Sequence, residues 1–104
     1  MENFNDLNAA EIERLAILAE ECGKVVQIVG KILRHGYRSF DPGDKLQTTN
    51  RRLLERELGD LQWIIRHMDD AGDIDISAVI LNSFQKAKKV ELYLHHQDGV
   101  TEKE

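Results

Sequence analysis

Glu57 and Asp60 stand three residues apart in the run Leu54-Glu55-Arg56-Glu57-Leu58-Gly59-Asp60, so on a helix both carboxylates project from one face. Gly59 between them leaves space beside that face. Upstream, Glu20 and Glu21 are adjacent and interrupt an otherwise apolar stretch from Leu15 to Val29. Neighbouring helix residues diverge by about 100°, so only one of the two points into any given site. If the two segments pack as antiparallel helices, Glu21 can face Glu57 and Asp60. Three converging carboxylates without a cation repel one another, by about 4 kcal/mol per close pair at an effective dielectric of 20. Their hard oxygens suit Mg²⁺, which usually keeps positions open for water and substrate phosphates. Such a site would serve phosphoryl chemistry on a nucleotide and not structural stapling. The plain alternative is that such acidic pairs are solvated helix surface. Histidine–metal chemistry has less behind it: His35, His67 and the pair His95-His96 read as surface residues.

The elements that must position these groups are helices. From about Ala9 to His35 the apolar residues Ile12, Leu15, Ala16, Ala19, Cys22, Val26, Val29 and Leu33 recur in steps of three and four. Gly23 and Gly30 each weaken that helix by roughly 1 kcal/mol relative to alanine, and their spacing permits close approach of a neighbour. A loop follows, from Gly36 to Asp44, with the only proline, Pro42. A second helix starts after Thr48-Thr49-Asn50, any of which can cap it, and carries Leu53, Leu54, Leu58, Leu61, Ile64, Ile65 and Met68. It ends near Ala71-Gly72, where glycine can adopt the left-handed conformation. A third begins between Asp75 and Ser77 and runs through Val79, Ile80, Phe84, Ala87, Val90 and Leu94. The pattern predicts an all-α bundle of three or more long helices in a single domain over residues 1–104, with 97–104 a frayed tail.

The 104 residues suit one domain, and 41% apolar with 32% charged residues suits a globular protein. A chain this short often completes its core against a second subunit. The net charge of −5 argues against a duplex-DNA binder, which needs a basic footprint. Cys22 is the single cysteine, so no intrachain disulfide forms and a reducing cytoplasm is the expected home. No apolar run approaches the roughly 20 residues of a membrane span, and Met1-Glu2-Asn3 does not start a signal peptide.

These residues resemble a known pattern. Leu18-Ala19-Glu20-Glu21-Cys22-Gly23, followed by Glu57-Leu58-Gly59-Asp60, is similar to the motif of the MazG-like all-α nucleoside triphosphate pyrophosphohydrolases, which reads Glu-Glu-x-x-Glu, a spacer, then Glu-x-x-Asp. Gly30-Lys31-Ile32-Leu33-Arg34-His35-Gly36 and the Asn50-Arg51 helix start also look like the small, often phage-encoded members. The likeness covers about Leu15 to His96. It implies Mg²⁺-dependent hydrolysis, with Mn²⁺ as an alternative ion, of an NTP or dNTP to the monophosphate and pyrophosphate, by a homodimer or homotetramer. Carried over by position, Glu21, Glu57 and Asp60 match metal ligands. Glu21 is the candidate base for the attacking water, and Glu20 the second choice.

One position departs from the motif. Its third acidic residue is here Lys24, and no shift of register rescues it, because Glu20 plus three is Gly23. A protonated lysine has no acceptor and cannot coordinate Mg²⁺. Two outcomes are open: an enzyme with an altered, weakened site, or a catalytically inactive nucleotide-binding or regulatory relative. A helical interaction module without any small-molecule site is the third possibility.

Lys31, Lys86 and Asn82 are the candidates for substrate phosphates, a placement that the resemblance suggests loosely for the last helix. Tyr37, Phe40 and Trp63 can stack on a base, although Trp63 reads rather as core or subunit interface. Arg51, Arg52, Arg56 and Arg66 read as solvated or ion-paired surface.

Overall fold

Helix α1 spans Ala9–His35 and is started by a capping box. Asn8 Oδ1 accepts from the Glu11 backbone N–H at 2.8 Å, and Glu11 Oε1 accepts from the Asn8 N–H at 2.9 Å. Arg34 and His35 in its last turn complement the carbonyl end of the helix, and Gly36 closes it at φ 90°, a conformation that side chains disfavour. Helix α2 spans Asn50–Asp70 with Thr49 as its N-cap. Gly72, at φ 85°, turns the chain after it. Helix α3 spans Ile76–Val90, capped by Asp75, and is followed by a short 3₁₀ turn, Glu91–Tyr93. This architecture is that of a computed structural model, which describes residues 4–97. The expected tail over 97–104 lies outside the described residues apart from Gln97. Among those described the chain is all-α, with one isolated antiparallel bridge between Phe40 and Thr49.

The chain forms two compact units, one running to Ile74 and one beginning at Asp75. The first is an antiparallel α1–α2 hairpin. At its closed end the connecting loop is tied down by backbone bonds from Asn50 to Ser39 at 2.8 Å and from Arg51 to Tyr37 at 3.0 Å. The buried Asn50 amide also donates to the Gly36 carbonyl at 3.1 Å, so no polar group is orphaned there. Asp44 organises the loop itself, accepting from Leu46 N–H and Thr48 N–H, both at 2.9 Å. Those bonds hold its carboxyl below the ordinary carboxylate range. At the open end Arg14 makes a two-pronged ion pair with Asp73, at 2.5 and 2.9 Å.

Between the two ends the core is thin. Among the described residues, Ile28 of α1 with Ile64 and Met68 of α2 are its buried apolar residues, and Ile64 alone is fully enclosed. Burying such a side chain contributes about 1.5–3 kcal/mol, so this hairpin has little to spare. Two helices can cover only one face of each other, and the opposite faces stay open. Val26, Leu33, Leu58 and Trp63 are accordingly exposed, and on α3 so are Ile80 and Phe84.

Several expectations change. Trp63 is not core: it is 51% exposed and stacks on His67, with ring centroids 5.2 Å apart. It lies off the α2 face that carries Ile64 and Met68, so α1 cannot cover it. The third helix stops at Val90, short of Leu94, where the backbone tightens into the 3₁₀ turn. A Cβ placed on Gly23, Gly30 or Gly59 would meet nothing within 4 Å, so no neighbouring element requires these glycines.

Candidate metal centre

Glu21 occupies the fourth turn of α1, on the side turned toward α2, as Ile28 does two turns later. Glu57 and Asp60 stand on the α2 face that continues to Ile64 and Met68. Because the hairpin runs antiparallel, the middle of α1 meets the middle of α2. One carboxylate oxygen from each of Glu21, Glu57 and Asp60 lies within 4.8 Å of the other two. Glu21 and Glu57 are half-buried and Asp60 is exposed, so the group sits at the edge of the helix interface with one open side.

Two inner oxygens have no partner. Glu21 Oε2 and Glu57 Oε2 are shielded from solvent and accept no hydrogen bond. A buried acceptor left unmade costs the desolvation of the group, more for a charged one. Such oxygens, on residues that meet in one group of carboxylates, suit a hard divalent cation with oxygen preference, and Mg²⁺ or Mn²⁺ has that preference. The donor set therefore fits a metal. The same set is found on many proteins as uncomplexed acidic surface, and what separates this one is the pair of orphaned oxygens.

Glu20 is not part of the group. Its side chain is 65% exposed, and it turns away from α2, as the helical 100° step requires of a neighbour of Glu21. Lys24 does reach the group, from the rim. Its Nζ lies 3.4 Å from Glu21 Oε1 and 3.6 Å from Glu20 Oε1, with the side chain 43% exposed. The charge of Glu21, and then the hydrogen bond to it, raise the Lys24 pKa above its ordinary value. Lys24 is therefore an ammonium at any physiological pH.

Lys31 lies ten residues beyond Glu21, about 15 Å along α1. It lines a concavity of about 340 Å³ at the closed end of the hairpin, together with Arg34, His35, Phe40 and Asn50. Asn50 and Leu53 of that wall precede Glu57 by seven and four residues, so they continue the same face of α2. Tyr37 belongs to a different concavity, of about 490 Å³, with Arg38, Arg51, Leu54 and Leu58. Asn82 and Lys86 are four apart on one exposed face of α3, in the second unit, and the hairpin's carboxylate group is complete without them.

The Arg14–Asp73 pair was not anticipated by residue type. Its one sequence signal is spacing: Arg14 precedes Glu21 by seven residues and Ile28 by fourteen, so on a helix it shares the face that packs on α2, where a charge needs a partner. No protein-family model matches this chain, nor does any curated protein or solved structure.

Proposed function

We propose that this chain is a metal-dependent nucleotide pyrophosphohydrolase of the MazG-like all-α type, which cleaves an NTP or dNTP to the monophosphate and pyrophosphate. The observation that carries the reading is the meeting of Glu21 with Glu57 and Asp60 across two helices, with two of their oxygens buried and unpartnered. The motif resemblance selects the reaction, and the geometry supplies a place for it.

In this reading Glu21, Glu57 and Asp60 hold the divalent ion. When bound, that ion would neutralise phosphate charge and stabilise the pyrophosphate leaving group. Glu21 orients the attacking water and takes its proton as the oxygen bonds to the α phosphorus. The bond from that phosphorus to the bridging oxygen breaks, and pyrophosphate leaves. Lys31 offers a cation to the phosphates, with Asn82 and Lys86 as further candidates from α3. The concavity beside Lys31 and Phe40 takes the nucleoside, since it continues the α2 face that bears the carboxylates. Glu20, exposed and turned outward, is the weaker candidate for the base.

The enzyme works as a homodimer or homotetramer. Supporting this is a second stripe on α1, away from α2: Ile12, Leu15, Ala19, Cys22, Val26, Val29 and Leu33 recur in steps of three and four and are all exposed. Such a seam pairs helices by knobs-into-holes packing. Among the described residues no helix is long and apolar enough to cross a membrane.

A second reading has its own observation. The Lys24 ion pair to Glu21 places a cation beside a ligand carboxylate, which favours a catalytically inactive nucleotide-binding relative. Release of pyrophosphate from a panel of NTPs and dNTPs, with Mg²⁺, Mn²⁺ or chelator, tests the first reading. Turnover that requires metal supports it. No turnover for any nucleotide, with thermal stabilisation by nucleotide that survives chelation, moves the conclusion to the second.

A further inference from the structure

Lys24 pairs with one oxygen of the Glu21 carboxylate and leaves the other without a partner. Lys24 Nζ approaches Glu21 Oε1 from the solvent side, whereas Glu21 Oε2 is buried, unpartnered and part of a residue set that includes the orphaned Glu57 Oε2. An ammonium that plugged the site would have satisfied those inner oxygens. It does not reach them: its second contact is Glu20 Oε1 at 3.6 Å, further out still.

We infer that this site takes a single divalent cation per chain, with the Lys24 ammonium serving as a fixed second cation at its rim. The inference rests on the metal-site reading above and deepens it. Charge decides the number. Glu21, Glu57 and Asp60 carry three negative charges; one dication and one ammonium neutralise them. A second dication would leave the group with an excess of positive charge and would have to share Glu21 Oε1 with Lys24. An ion bound at that oxygen would lie close to the Lys24 ammonium, which stands 3.4 Å from it, and the two cations would repel one another. Glu20 does not alter the sum, because its carboxylate is largely solvated and outside the cluster.

The same placement gives Lys24 a task once an anionic ligand arrives. Its stem is long, 43% of the side chain is exposed, and both of its ion pairs are longer than a strong charged hydrogen bond. Its ammonium can therefore pass from Glu20 to a phosphate oxygen at the open side without leaving Glu21. Lys24 then supplies the charge that a further ion would supply in a site with an acidic residue at this position.

The test is metal stoichiometry. Mn²⁺ binding to the full chain is counted by electron paramagnetic resonance and by titration calorimetry, for the parent, Lys24→Met and Lys24→Glu, with folding checked by circular dichroism. The expected result is one ion per chain for the parent. Lys24→Met keeps one ion, bound about tenfold or more tightly. Lys24→Glu takes up two, with the spectral broadening of neighbouring Mn²⁺ ions. Adding pyrophosphate should tighten Mn²⁺ binding to the parent more than to Lys24→Met. Two ions on the parent chain, or one on Lys24→Glu with its fold intact, overturn the inference while leaving the metal site standing. No Mn²⁺ on any of the three overturns the metal site itself, and this inference with it.

Discussion

Arg14 near the start of α1 and Asp73 just beyond α2 join the open end of the hairpin through two hydrogen bonds at 2.5 and 2.9 Å, with side chains only 16% and 13% exposed. The pair lies two helical turns from Glu21, and it fixes the register in which α1 meets α2. With three apolar side chains buried among the described residues, the hairpin depends on its ends being held. The carboxylates meet because the ends do.

Removing either partner should therefore loosen both fold and site. Arg14→Met and Asp73→Asn are each expected to lower Tm by several degrees, with a double variant no worse than the poorer single one, as a shared interaction requires. The pH dependence has a definite sign. The Arg14 hydrogen bond holds the Asp73 carboxyl below its ordinary value of 3.8. A depressed folded-state pKa stabilises the fold above the unfolded value and is lost as pH falls through the folded one. The Tm gap between parent and Asp73→Asn should be full at pH 5–7 and close below about 3.8. A gap that stays constant down to pH 2 would mean that the ion pair contributes nothing through its charge.

The carboxylate cluster should behave differently with and without metal. Glu57→Gln and Asp60→Asn each remove one negative charge from a group whose oxygens lie within 4.8 Å of one another. In chelator both variants should melt at or above the parent temperature, since repulsion is relieved. With millimolar Mg²⁺ the parent should gain stability and the variants should gain little. Pyrophosphate release should fall by at least about a hundredfold, the order seen when an electrostatic catalytic group is removed. Melting curves for all three proteins, recorded with and without metal, separate this from a solvated acidic patch, which would respond to neither.

Lys24→Glu is the informative gain-of-function change. It places an acidic residue at the position where the resembled motif has one, and frees Glu21 Oε1 from its ammonium partner. Pyrophosphate release should rise about tenfold or more at saturating Mg²⁺. If the parent is already active and Lys24→Glu is slower, Lys24 contributes to phosphate binding more than it obstructs metal.

Much of the hairpin could be read before any coordinates. The three- and four-residue steps from Ile12 to Leu33 marked α1 over Ala9–His35, and the run Thr48-Thr49-Asn50 held the cap of α2, which is Thr49. The spacing of Glu57 and Asp60 fixed a shared face, and the 100° step required Glu20 and Glu21 to part. Which glutamate turns inward was a matter of which α1 face meets α2, and α1 has two apolar faces. One, through Ile28, packs on α2; the other, through Val26 and Leu33, does not. Periodicity cannot rank two such faces, and for the same reason it could not place α3, which forms a unit of its own. Of the two places read for Trp63, the core is ruled out, because its angular position on α2 keeps it off the contact face and leaves it exposed as a subunit interface would need.

That second face of α1 gives the last prediction. Val26 and Leu33 are 71% and 82% exposed, and with Val29 between them they make the widest apolar strip on the helix. Exposed apolar side chains in sequence-regular order are costly in water unless another surface covers them. A second copy of the chain is the natural cover, because an isologous contact sets the stripe against itself. The parent should therefore sediment as a dimer or tetramer at micromolar concentration, with a Tm that rises as protein concentration rises. Val26→Asp and Val29→Asp put charge in the middle of the seam and should give monomers that melt lower and no longer show the concentration dependence. Glu21 lies on the other face of α1, toward Glu57 and Asp60 of α2, so Mn²⁺ binding per chain should survive in those variants if the hairpin alone builds the site. Loss of metal binding on dissociation would instead show that the partner copy completes it, and sedimentation run beside Mn²⁺ titration distinguishes the two. A parent chain that is monomeric at every concentration would remove the seam from the account altogether.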